Sequence, residues 1–178
     1  MEKSPERILI NKAGRNRYNK ASDINRVIKY ELRKNKNPKK DLIAYGGVGV
    51  MECFGINNMI NQFLAVCQLH TRKGNFGRYI DHEIFSLSPE AEQFVLNNKL
   101  DVDAIAREMA YDIYEKDHCQ VIYAIHYASK ETAIMHIHFA INTVNFVTGN
   151  KRHENKWQTK ERESRFNKIM NDAVNRIK

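Results

Sequence analysis

Three histidines and one tyrosine carry the residue types and spacing from which a reactive site can be built. In IMHIHFAINTVNF (134–146), the odd positions Met135, Ile137, Phe139 and Ile141 are large and apolar, while His136, His138, Ala140 and Asn142 are polar or small. Strict alternation is the pattern of a half-buried strand, so both imidazoles are predicted on one face, left open by the core. His126 closes an earlier β-branched and aromatic run, QVIYAIHYAS (120–129). Paired as a hairpin with a turn near Ser129–Thr132, the two runs bring three imidazoles onto one sheet face. Three neutral imidazoles with one coordination position left over suit a catalytic metal, which polarises a substrate oxygen. A His-x-His pair alone more often has a structural or surface role, and it is the third histidine across the hairpin that brings the metal reading level with it. Glu131, in the turn, reads as an oxygen ligand or a solvated carboxylate. His82 and Asn142 are accessory candidates, His82 alternatively a core histidine.

The tyrosine sits in ASDINRVIKYELRK (21–34). Ser22 and Asp23 are predicted to cap a helix starting near Ile24, with Ile24, Val27, Ile28 and Leu32 as its apolar stripe. At about 100° per residue Tyr30 falls off that stripe, on the polar side with Arg26, Arg33 and Lys34. A tyrosine there is either a surface packing residue or a nucleophile whose phenolate is favoured by the cations beside it. Tyr18 and Tyr45 are the alternatives.

The elements that must position these groups follow from periodicity. ILI (8–10) reads as a first strand, and KNKNPKK (34–40) as an exposed basic loop. DLIAYGGVGVME reads as a strand bent at Gly46–Gly47. Helical spacing of Ile56, Met59, Ile60, Phe63 and Cys67 predicts a helix over 56–69. A loop and the strand YIDHEIFSLS come next, then two helices near 89–97 and 101–117, the second with Ile105, Met109 and Ile113 inward. Beyond Gly149 a basic helix carries Phe166, Ile169, Met170, Ala173 and Ile177 at packing positions. The sum is one α+β domain with an antiparallel sheet covered on one face.

Charge is segregated along the 178 residues. Residues 1–40 hold 13 Lys/Arg against 4 acids and 151–178 hold 9 against 4, whereas 41–150 hold 7 against 13. Basic flanks around an acidic middle suit a polyanion gripped at its edges. Three cysteines without zinc-type spacing read as buried thiols of a reducing compartment, the cytoplasm. No run of about 18 apolar residues spans a bilayer.

HIHFAINTVNFVTGNKRH resembles the metal-binding motif of plasmid and transposon relaxases of the MobA/MobL type, members of the HUH endonucleases. YIDHEIFSLSPE, the helix before QVIYAIH, and DINRVIKYELRK share the resemblance, which covers most of residues 20–155. It implies a five-stranded antiparallel palm with flanking helices. It also implies a divalent metal (Mn²⁺ or Mg²⁺, with Zn²⁺ as the alternative) on His126, His136 and His138, and Tyr30 as nucleophile. The tyrosine precedes the histidine pair, the relaxase order rather than that of replication initiators. The interval HYASKETAIMH predicts an extended hairpin turn. The implied function is strand-specific nicking at a transfer origin during mobilisation of a plasmid or integrative element. Single-stranded or hairpin DNA would be held by Arg26, Arg33, Lys34, Lys151, Arg152 and Trp157, with accessory DNA-binding proteins and a coupling protein as partners. A metallohydrolase using activated water and a non-catalytic nucleic-acid-binding domain are the competing classes. The end at NRIK falls inside a helical pattern, which predicts a relaxase domain at the N-terminal part of a longer chain.

Overall fold

The two histidine-bearing runs do form neighbouring strands, Val121–His126 and His136–Asn142, because alternating β-branched and aromatic residues fit a pleated surface. A computed structural model describes residues 9–13, 18–32, 41–70, 77–127 and 134–176. Its elements are β1 (Leu9–Ala13), α1 (Ala21–Glu31), β2 (Leu42–Val48), α2 (Ile56–His70), β3 (Ile80–Ser86), α3 (Pro89–Asn97), α4 (Val102–Asp117), β4 (Val121–His126), β5 (His136–Asn142) and α5 (Lys156–Asn175). The predicted turn at 129–132, Glu131, Arg33, Lys34 and Ile177 lie outside the described residues.

The fold is α+β with an antiparallel sheet, as the periodicity predicts. The core strands run in the order β3-β5-β4-β2, with β1 alongside β3. Histidine-bearing β5 therefore lies between β3 and β4, where a backbone is hydrogen-bonded on both sides and side chains are held firmly.

One expectation is corrected here. The sheet is covered on both faces, not one. Ile137, Phe139 and Ile141 pack into a core with α3, α4 and α5. On the opposite face, Ala140, Ile122 and Ala124 pack beneath Ile24, Val27, Ile28 and Leu32 of α1 and Met59, Ile60, Phe63 and Cys67 of α2. That second face carries the histidines, so the end of α1 covers them except at His136, which stays partly exposed, while α2 covers the far end of β5. The sequence hid this because β5 alternates between polar and apolar only at its start. Its last residues, Ala140 and Asn142, are buried too.

Smaller differences have local causes. Helix α1 begins at Ala21, three residues earlier than predicted, because the Asp23 carboxylate accepts from the Lys20 N–H at 2.9 Å and so acts from inside the first turn. Strand β2 runs straight through Gly46–Gly47. The left-handed backbone falls at Gly49 instead, with φ 74°. Cys67 and Cys119 are buried, but Cys53 is exposed.

Helix α5 is locked to the sheet by an ionic cluster. Arg162, 1 % exposed, pairs with Glu83 at 2.7 Å, and Arg152 pairs with Asp117 at 2.7 Å, Asp81 at 2.9 Å and Glu83 at 3.3 Å. Removing one partner of such a network strands buried charge. Arg162→Met is expected to lower stability by about 3–5 kcal/mol in urea unfolding. A loss under about 1 kcal/mol would show that the cluster is effectively solvated.

Candidate metal centre and nucleophile

Register decides which side chains meet. His126 on β4 stands directly opposite His136 on β5, and His138 lies two residues further along the same face. Across the other edge of β5, His82 pairs with Ala140, which sets it diagonal to His138. The ring centroids of His126 and His138 lie 4.4 Å apart, those of His136 and His138 4.9 Å, and those of His126 and His136 5.4 Å. One ligand nitrogen from each of the three falls within 4.8 Å of the others. His126 and His138 are buried and His136 is partly exposed, so the cluster has a dry floor and one edge open to solvent.

The remaining ring nitrogens have partners that set the tautomers. His126 Nε2 donates to the Glu31 carbonyl oxygen at 2.7 Å, which puts the lone pair on Nδ1. His136 Nδ1 donates to the Ile134 carbonyl oxygen at 2.8 Å, which puts its lone pair on Nε2. His138 Nδ1 lies 2.8 Å from His82 Nε2, a hydrogen bond between rings stacked at 5.0 Å. Metal-binding imidazoles use their second nitrogen in this way, donating it to a carbonyl or another fixed acceptor. The donor set therefore fits a divalent cation. Burial and the nearby His126 ring push His82 down to about 4, so it is neutral at pH 7.

Tyr30 stands on the last turn of α1, off the buried stripe as predicted and 49 % exposed. Its ring meets His138 edge-on at a centroid distance of 6.4 Å. Tyr18 approaches the other side, 6.4 Å from the His82 ring. Tyr45, half-exposed, lies on β2 opposite Ala124 of β4.

Several predicted residues are committed elsewhere. Arg26 pairs with Asp23 at 2.7 Å and stacks over Tyr18 at 5.5 Å, so it is not the cation beside Tyr30. Lys151 and Arg152 follow the far end of β5, away from His136, where Lys151 bridges to Val144. Lys151 Nζ donates to the Arg78 carbonyl oxygen at 2.8 Å and covers the Tyr79 ring, and burial lowers its pKa. Burial opposes the Arg152 charge, but Glu83, Asp117, Glu154 and Asp81 outweigh it and hold the guanidinium more firmly protonated than usual. Neither cation is presented to a phosphate. Asn142 is fully buried at the same far end, donating to the Phe63 carbonyl oxygen at 3.1 Å and to Gln120 at 3.0 Å. It ties α2 to the sheet and does not touch the imidazoles. Trp157 is 79 % exposed on α5, the helix packed against the opposite sheet face.

Sequence reasoning missed Glu31. It is fully buried, its carboxylate 3.2 Å from His82 Nε2. The signal was present: an acid three residues after Ile28 and four after Val27 falls inside the apolar stripe.

Residues 30–173 match the family described as relaxase, MobA/VirD2-like, nuclease domain. The chain belongs to this family. No curated protein matches the sequence. The relaxase family nicks DNA, binds it at the origin of transfer and depends on a metal ion, and the imidazole cluster of this domain is compatible with such an ion. Among the described residues no helix is long and apolar enough to cross a membrane.

Proposed function

We propose that this domain nicks one DNA strand at a transfer origin by tyrosine transesterification, with Tyr30 as nucleophile and His126, His136 and His138 as holders of a divalent cation. The position of Tyr30 carries the reading: half exposed at a helix end, 6.4 Å edge-on from a member of the imidazole cluster. The phenolic oxygen attacks the scissile phosphorus in line. A bond from phosphorus to the Tyr30 oxygen forms and the bond to the 3′-oxygen breaks. The phenolic proton passes to water, and the departing 3′-oxygen takes one up. The products are a 5′-phosphotyrosyl chain and a free 3′-hydroxyl. The ester is conserved, so the strand can be rejoined without ATP.

The cation, Mn²⁺ or Mg²⁺ with Zn²⁺ as the ion imidazole holds most readily, would orient the phosphate and offset charge on its non-bridging oxygens. His136, at the exposed edge of the cluster, offers the side from which the strand enters, while the buried His126 and His138 exclude water beneath it. His82 holds the second nitrogen of His138. The strands β1 to β5 would serve as the palm of an HUH endonuclease. Its setting is the cytoplasm, with accessory DNA-binding and coupling proteins as partners.

Single-stranded or hairpin DNA is held by the basic ends, with Arg33 and Lys34, which follow Tyr30 closely in the chain, as contacts. Affinity for a single-stranded oligonucleotide is expected to fall at least about tenfold between roughly 50 and 200 mM salt, because phosphate contacts release counterions. A flat response in a filter-binding titration would mean that the basic ends are merely solvated. The function itself is tested on supercoiled plasmid. Plasmid carrying the cognate origin should become open-circular with a divalent cation and stay supercoiled in EDTA, while plasmid without the origin stays intact in both. Equal nicking of both plasmids would contradict the reading.

A further inference from the structure

Helices α1 and α2 meet over the second face of the sheet, and a groove of about 490 Å³ lies between them. Four carboxamides line it, Asn25 on α1 and Asn57, Asn61 and Gln68 on α2. The α2 residues recur at helical spacing and share one face of that helix with Leu64. Ile60, buried, and Leu64, partly buried, give the groove its apolar lining. Among the described residues no charged side chain lines it. Among the same residues the exposed side chains of Asn25, Asn61 and Gln68 have no hydrogen-bond partner.

We propose that this groove reads a base of the bound single strand close to the scissile phosphate. The inference rests on the proposed function, in which Tyr30 attacks that strand. A groove that holds the phosphate backbone is lined with cations, because charge neutralisation is what binds phosphates. This one has none, in a chain of net charge +8. A carboxamide instead carries a donor and an acceptor in one plane, which pair with the edge of a base, adenine offering the match at N6 and N7. Bases of a single strand expose such edges, and their faces rest on apolar side chains. The volume lies within the range of small-ligand sites, roughly 300–1,000 Å³. Asn25 and Tyr30 share α1, separated by roughly 7–8 Å along its axis. That helix thus fixes the distance between the base that is read and the bond that is cut. Folding gives no reason for the amides, which are exposed and bonded to nothing in the described protein.

The test compares wild type with Asn25→Ala combined with Asn61→Ala, in the full chain. Filter binding is measured on single-stranded oligonucleotides carrying the cognate origin, with each position substituted in turn. Wild type should discriminate by roughly 5- to 150-fold at every position it reads. The variant should lose this at one or two adjacent positions, falling there to within about twofold, and keep it at the others. Its salt slope should match wild type, since no phosphate contact is removed. Its melting temperature should stay within about 2 °C of wild type. Unchanged discrimination at every position overturns the inference. So does a uniform loss for all sequences with a shallower salt slope, which would make the groove a backbone contact. A melting temperature far below wild type overturns it too, because the amides would then be structural, as does a wild type that discriminates no base. Binding needs no nicking, so a wild type that discriminates bases yet forms no covalent adduct would overturn the proposed nucleophile and leave the groove's assignment standing.

Discussion

Tyr30→Phe should abolish the covalent protein–DNA species, at least about 10³-fold below wild type, while leaving the rest of the protein intact. The substitution removes one oxygen from a ring that is 49 % exposed and lies off the buried stripe of α1. Stability should therefore change by no more than about 0.5 kcal/mol. In the proposed function the imidazoles hold the cation and the basic ends hold DNA, so both should survive. Only the step that consumes the phenolic oxygen has no substitute. Tyr18→Phe is the matched control, because Tyr18 faces His82 rather than the three-histidine cluster. Denaturing electrophoresis with a labelled origin oligonucleotide reads the outcome directly. An undiminished slow-migrating band from Tyr30→Phe would move the nucleophile to another residue.

The second large effect belongs to the cluster. His136→Ala combined with His138→Ala should reduce Mn²⁺-dependent nicking at least about 10³-fold, to the level of wild type in EDTA. Two of three nitrogens are lost, and one imidazole does not hold a divalent cation at micromolar concentration. The two single variants should differ in stability. His136 sits partly exposed at the strand end, so its removal is tolerated. His138 is buried and hydrogen-bonded to His82, so its removal leaves a polar ring without that partner and lowers stability by about 1–3 kcal/mol. Calorimetric Mn²⁺ titration and urea unfolding on the same samples separate lost ligation from lost fold. Undiminished nicking by the double variant in EDTA would remove the metal from the account.

The α+β class, most of the helix and strand positions, and the convergence of His126, His136 and His138 were legible because period-2 and period-3.6 patterns are strong in these segments. Tyr30 was legible for the same reason, as a residue outside a clear stripe. What could not be read was which face of the sheet would be roofed. That depends on α1 and α2 folding back over β5, a long-range choice that alternation in β5 alone does not encode. Charge was the least transferable signal. Arg152 looks like a free phosphate contact in a basic tail, but Asp81, Glu83 and Asp117, distant in sequence, gather around it together with the neighbouring Glu154. Glu31 was visible as a break in the apolar stripe, yet its meaning required knowing that His82 and His126 would lie beneath it.

The most direct test of the central claim is to locate the nucleotide on the protein. Wild-type protein is incubated with Mn²⁺ and an oligonucleotide carrying the cognate origin, then digested with protease and nuclease and sequenced by mass spectrometry. The account predicts one modified peptide, carrying a 5′-phosphonucleotide on the Tyr30 oxygen, absent when EDTA is present. A modification on Tyr18 or Tyr45 would contradict the assignment of Tyr30. Efficient strand cleavage without any modified peptide would contradict transesterification altogether and leave a histidine-bound cation activating water.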